Sequence, residues 1–217
     1  MPRPALDPAL LEKLRITRQN IDFTDVLAIG DPALDAFLPH GGLPPGVTEL
    51  RAPHGLGGGT ELALFAVRAA LRVSPEAWCA WMDPEGTLYA PRAVQLGIEL
   101  SRLLIVRPPR RRLEHVATRV LGAGAFELVV IDADPPSLHN RTIESTLSEV
   151  VIRRLALASE KHGTRVLLLS NAHARRPLPW PVAMRLELEQ KSSSLLSVRI
   201  AKERHGELRE TVLSLAR

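Results

Sequence analysis

The residues with the most chemical promise form one nonapeptide, Ala52-Pro53-His54-Gly55-Leu56-Gly57-Gly58-Gly59-Thr60, between a strand-like run, Val47 to Arg51, and a helix-like run from Thr60 onward. A glycine-rich turn joining a strand to a helix is suited to holding an anion, because backbone N–H groups converge there and the helix N-terminus adds a favourable dipole. In the nucleotide-binding form of such a turn, G-x-x-x-x-G-K-[ST], the lysine meets the β- and γ-phosphates and the hydroxyl holds Mg²⁺. Counted without a gap from Ala52, the second glycine is Gly57, so Gly58 stands at the lysine position and Gly59 at the hydroxyl position. With one inserted residue, Thr60 takes the hydroxyl role and Gly59 the lysine role. Neither count supplies a lysine. The expectation is a turn, Gly55, Gly57, Gly58, Gly59 and Thr60, kept for the fold, with no cofactor bound.

Other chemistry is sparse. The single cysteine, Cys79, sits in the apolar run Ala77 to Met82, so it reads as a small core residue of a reducing cytoplasm, with no internal disulfide. One cysteine cannot supply a zinc cluster, and His139, His162 and His173 lack metal spacing. Ser170 and His173 are close in sequence, but nothing around them resembles a nucleophile elbow.

The elements that must position the turn alternate strand and helix. Strands are expected at Val47–Arg51, Ala77–Asp83, Leu103–Val106, Leu128–Asp132 and Val166–Ser170. Helices are expected after the turn through Leu62, Phe65, Ala66 and Ala69, then over Pro91–Leu96, over Leu113–Leu121, and from Ile143 to Ala158 at 3–4 spacing. The continuous apolar runs suit a parallel sheet covered on both faces. From Ala183 the texture changes: Met184–Glu189 and Leu195–Lys202 alternate apolar and polar residues, and Thr211–Leu215 follows, so half-exposed antiparallel strands are expected. Asp7-Pro8 with Leu10, Leu11 and Leu14 predicts a capped helix, giving an N-terminal appendage over residues 1–20 and a core domain over 21–217.

Composition sets bounds. The chain has 217 residues, enough to bury one substantial core, and no run reaches the ~18 apolar residues of a membrane helix. Its N-terminus lacks the pattern of a secretory signal. The net charge of +4 is arginine-rich, with clusters at Arg107, Arg110, Arg111 and Arg112 and at Arg175-Arg176. Such clusters suit phosphates or acidic protein faces. Aromatic residues do not interleave with them, so no platform for stacking single-stranded bases is expected.

The order of elements, with the turn after the first core strand, resembles the RecA recombinase core. Ala33-Leu34-Asp35-Ala36-Phe37-Leu38 followed by Gly41-Gly42-Leu43-Pro44-Pro45-Gly46 is similar to the RecA entry motif. Met82-Asp83-Pro84-Glu85 resembles the RecA strand end whose glutamate activates water, so the resemblance places the base position at Glu85. Leu96 to Leu104 resembles the following "LGVDIDNLL" segment, and Glu127 to Asp132 the Walker B strand, with the Mg²⁺-supporting carboxylate at Asp132. The departures fall on the same mechanism. The γ-phosphate-sensing glutamine is replaced by Ala172, the adenine-covering aromatic by Arg92, and the mobile DNA-binding loop by the short segment His173 to Pro181.

A short, nucleotide-incompetent RecA-like chain is similar to the ImuA family, accessory factors of bacterial translesion synthesis. That resemblance implies a cytoplasmic, SOS-linked protein that is not an enzyme, whose partners are RecA, the inactive Y-family polymerase homologue ImuB and an error-prone polymerase assembly. Glu85 and Asp132 would then be vestigial. Arg107, Arg110, Arg111 and Arg112 would contact partners, or DNA weakly and non-specifically. Two alternatives are a divergent ATPase using Thr60, Glu85 and Asp132 with a basic residue borrowed from Arg51 or Arg92, and a SulA-like division inhibitor.

Overall fold

The structure is a computed structural model that describes residues 26–53, 58–134, 147–174, 180–192, 195–203 and 208–214. The expected N-terminal helix, His54 to Gly57 of the glycine-rich turn, Ile143, His139, Arg175-Arg176 and Leu215 lie outside the described residues.

The approach to the core is fixed by short polar contacts. Asp31 opens α1 (Pro32–Phe37) by accepting the N–H groups of Ala33 and Leu34, with proline in the first turn. The Asp35 carboxylate reaches back to the N–H groups of Ile29 and Gly30, at 2.7 and 2.9 Å. Leu27 and Leu43 exchange both backbone hydrogen bonds at 2.9 Å. Gly42 lies so close to that bridge that a Cβ would sit 2.5 Å from the Leu27 carbonyl oxygen, so only glycine fits. Gly46, at φ +102°, completes the turn into β1 (Val47–Ala52).

The chain then alternates as its apolar pattern demands: α2 (Gly58–Val73), β2 (Cys79–Met82), α3 (Ala90–Gln95), β3 (Leu103–Val106), α4 (Leu113–Gly122), β4 (Leu128–Asp132), α5 (Glu149–His162) and β5 (Arg165–Asn171). Three strands follow, β6 (Met184–Gln190), β7 (Leu195–Glu203) and β8 (Arg209–Ser214). All eight strands form one sheet in the order β3-β2-β4-β5-β1-β6-β7-β8. This is the expected α/β architecture, with one correction. β6 is bonded parallel to β1 on one side and antiparallel to β7 on the other, so the antiparallel extension begins one strand later than its alternating pattern implies. Alternation reports that one face is wet; it carries no information on strand direction.

Successive residues of the central strands feed two cores. Leu50, Trp81, Val130 and Leu167 pack with Leu62, Phe65 and Ala66 of α2. Met82, Val129, Ile131 and Leu168 pack on the other face with Leu113, Ala117 and Leu121 of α4 and with Ile152 and Leu155 of α5. Each such leucine or phenylalanine contributes about 1.5–3 kcal/mol by leaving water. Cys79 is fully buried in the first core, and burial pushes its thiol up to about 12, consistent with an inert core residue. Beyond β1, the α4–α5 side of the sheet carries a polar row: Arg51 of β1, Glu187 of β6, Arg199 of β7 and Glu210 of β8 are direct cross-strand neighbours. No helix of the described residues is long and apolar enough to cross a membrane.

Candidate functional site

Parallel strands point their C-terminal ends at one rim of the sheet, and α2 starts there, so whatever chemistry the fold supports collects at that rim. A cleft of about 260 Å³ opens between β1, β4, β5 and the first turn of α2. Leu50, Ala52, Pro53 and Leu169 form an apolar wall, and Thr60, Thr87, Asp132, Asp134, Ser170 and Asn171 supply polar groups.

The geometry separates the two ways of counting the glycine-rich turn. A Cβ at Gly58 would lie 2.8 Å from Leu196 Cδ1, so that position faces the core. Gly59, Thr60 and Asp132 all line the cleft. Gly59 and Thr60, the lysine and hydroxyl positions of the count with one inserted residue, are therefore the pair that lines the cleft. Among the described residues lining the cleft there is no lysine or arginine.

The sequence-predicted carboxylates meet different partners. Glu85 accepts the Arg110 Nε–H at 2.8 Å, and Arg110 also donates to the Ala133 carbonyl at 3.0 Å. Asp132 does line the cleft. Burial, with the Asp83 carboxylate nearby, pushes its carboxyl up to about 6, while Arg110 and the Thr87 hydroxyl pull it down. Thr87 Oγ1 lies 3.3 Å from Asp132 Oδ2 and 3.4 Å from Asp83 Oδ1, joining the two strand ends. Asp83 is buried, accepts the Thr87 N–H at 2.8 Å, and pairs with Arg107 at 3.4 Å.

The candidate basic residues divide. Arg110 is half-buried and turned inward, whereas Arg107, Arg111 and Arg112 are exposed. Neither arginine considered as a borrowed cation lines the cleft. Arg51 donates to the Ala172 carbonyl at 2.7 Å and faces Glu187 at 3.7 Å, and Arg92 is ion-paired with Glu61 in the first turn of α2.

Thr87, Asp134 and Asn171 are site residues that sequence reasoning did not select. Asp134 is buried and accepts the Asn171 N–H at 3.0 Å. Its spacing two residues after Asp132, past the end of the same strand, was the available signal. Thr87 had a weaker one, four residues after a strand-end aspartate, where a side chain commonly caps the next turn. No group of three or more histidine, cysteine or acidic residues is arranged to hold a metal ion among the described residues.

Comparison with known proteins bears on this geometry. The RecA N-terminal domain model matches residues 12–160. Similar relatives are RecA of Azospirillum lipoferum, 34% identical over 134 residues, and RecA of Acidothermus cellulolyticus, 35% identical over 127 residues. These alignments cover 61% and 58% of this chain but 36% of each relative. With RecA of Chlorobaculum tepidum, identity is 29% over 170 residues, covering 69% of this chain and 48% of that protein. The chain thus spans less than half the length of these relatives.

Proposed function

The chain belongs to the RecA N-terminal-domain family, and from that premise we propose that it is an accessory protein of DNA repair that works by docking, without hydrolysing ATP. Its partners in this reading are RecA itself and the ImuB polymerase homologue, as in the ImuA-like branch of the family, where it serves SOS-linked translesion synthesis. The observation that carries the reading is the Arg110–Glu85 ion pair. A carboxylate that activates water must face its substrate, and this one is engaged by a guanidinium that also donates to the Ala133 carbonyl. The cleft supports it from the other side. Phosphoryl transfer is catalysed mainly by positioned positive charge, and the described lining presents carboxylates instead. The described lining residues offer no cation to a nucleoside triphosphate, so no catalytic step is assigned to them.

Pulldown of purified RecA and ImuB by the intact chain, and by a chain lacking residues 1–20, tests the reading. Retention of at least one partner is expected, and loss of both sinks it. A second reading, a divergent ATPase, draws on one observation: Thr60 and Asp132 share the cleft. Calorimetric titration with Mg²⁺·ATP separates the two, since micromolar binding abolished by Asp132→Ala would favour the enzyme.

A further inference from the structure

We propose that the solvent side of the α4–α5 layer is a docking surface for an acidic amphipathic helix of another protein.

The two helices cover the same face of the sheet and run side by side. Their N-terminal ends are joined by the Ser148 N–H, which donates to Glu114 Oε1 at 3.2 Å. At the other end, a Cβ on Gly124, just past α4, would lie 2.6 Å from His162 Nδ1 in the last turn of α5. Each helix buries one stripe and turns the other to water. The outward stripe of α5 repeats every seventh residue, or two turns, so it forms three rows. Val150 and Leu157, 58% and 67% exposed, make the middle row. Arg154 and Lys161 flank it on one side, and Arg153 and Glu160 on the other.

An aliphatic row between charged rows is the form of a helix–helix seam, in which the apolar residues pack and the flanking charges choose the partner. Here the charges choose an acidic one. Arg111, Arg112, Arg119, Arg154 and Lys161 are exposed, and among the described residues they form no ion pair. Two carboxylates of this layer are already engaged: Glu114 accepts the Ser148 N–H, and Glu149 pairs with Arg153 at 2.7 Å. Arg111 and Arg112 also stand at the N-terminal end of α4, where the helix dipole disfavours cations, so the stability of their own helix does not account for them. A helix carrying aliphatic residues two turns apart between aspartates or glutamates complements both the row and its flanks. Duplex DNA would meet the cations and leave the aliphatic row in water. A lipid surface calls for bulky apolar anchors on a face of their own, whereas these rows interleave charge, and neither helix contains Trp or Phe.

The inference rests on the docking reading and adds to it a surface and a chemistry, so its test uses neither RecA nor ImuB. The isotope-labelled full chain is titrated with a capped helical peptide about three heptads long, with leucine at every seventh position between glutamates. One control has the same composition with its leucines spread around the helix, and another has lysines in place of the glutamates. Saturable binding of the first peptide is expected, with shifts at Val150, Arg154 and Leu157. Leu157→Asp should weaken it about tenfold, and Arg154→Glu with Lys161→Glu about fivefold. The protein's thermal midpoint should stay unchanged in both variants, because these side chains are exposed. Equal binding of either control peptide would overturn the proposal, as would shifts confined to other surfaces. So would movement of these resonances by duplex DNA or by phosphatidylglycerol vesicles while the acidic peptide leaves them unmoved. Failure of the acidic peptide beside a successful pulldown would overturn this surface alone and leave the docking reading standing.

Discussion

Arg110 and Glu85 lie 25 residues apart in sequence, yet their side chains meet at 2.8 Å across the ends of two strands. The guanidinium bridges that carboxylate to the Ala133 carbonyl at the end of β4. One arginine therefore ties the turn after β2 to the end of β4.

Replacing Arg110 by alanine should cost about 1 kcal/mol, because the pair is partly exposed and solvent-screened while the bond to the carbonyl is more sheltered. The freed Glu85 should not produce ATP turnover. Denaturant unfolding and a phosphate-release assay measure the two halves; turnover above background in the variant would show that the arginine merely masks a working base.

Asp132 makes stability depend on pH. Its folded carboxyl titrates near 6 against a reference of 3.8, so the folded chain holds the proton that the unfolded chain has released in that window. Stability from this group is present below the lower value and is lost as pH rises through the upper one. Asp132→Asn should therefore stabilise the protein by about 1–3 kcal/mol at pH 7, with the gain vanishing by about pH 4. Thermal midpoints of both proteins across that range check it; a gain independent of pH would point to packing.

The glycine-rich turn offers a gain-of-function test. Gly59→Lys places a cation at the cleft, and a Cβ there meets only ordinary contacts, 3.6 Å from Ala52 Cβ. Affinity for Mg²⁺·ATP should rise about ten- to a hundredfold over the parent chain. Gly58→Lys should fail to do so and should destabilise the fold, because its Cβ meets Leu196. Calorimetry on the pair reads the difference.

A buried ion pair under the same sheet gives a larger effect. Glu49 is fully buried and accepts Arg185 Nε–H at 2.7 Å and Ser170 Oγ–H at 2.6 Å. Arg185→Ala should cost about 3–5 kcal/mol by removing the ion-pair partner of a buried carboxylate. The double variant Glu49→Leu with Arg185→Leu should recover much of the loss, which urea titration would show.

The exposed arginines bear on what is docked. Changing Arg111 and Arg112 to glutamate should weaken capture of a protein partner while leaving DNA retention unchanged, if they serve a protein face. A drop in DNA retention that steepens with salt would instead mark phosphate contacts.

Much of the architecture was legible in the sequence because it rests on local pattern. Short, β-branched apolar runs such as Leu128 to Ile131 and Val166 to Leu169 suit strands covered on both faces, and the entry run from Gly41 to Gly46 carries the glycines its turn requires. Thr60 came from counting the glycine-rich turn and Asp132 from the resemblance of its strand to Walker B, and both line the cleft. Pairings across the sheet were not. Nothing local to β6 says that Thr48 to Arg51 will lie parallel beside it, and nothing local to Glu85 names Arg110. Nor could spacing alone choose between Gly58 and Gly59; that needed the position of Leu196, more than a hundred residues away.

The polar row Arg51, Glu187, Arg199, Glu210 has a kinetic consequence. Antiparallel strands can pair in any register that keeps their wet and dry faces, so shifts of two residues are the natural errors. Moving β7 two places along β6 in one direction would set Arg199 opposite Arg185, exchanging attraction for repulsion. Moving β8 along β7 would set Arg199 against Leu208 or Val212 in place of Glu210. The alternating charges thus bias the closing of the last three strands: a slip of β8, or of β7 toward Arg185, loses attraction and reopens sooner, whereas a slip of β7 toward Glu189 keeps it.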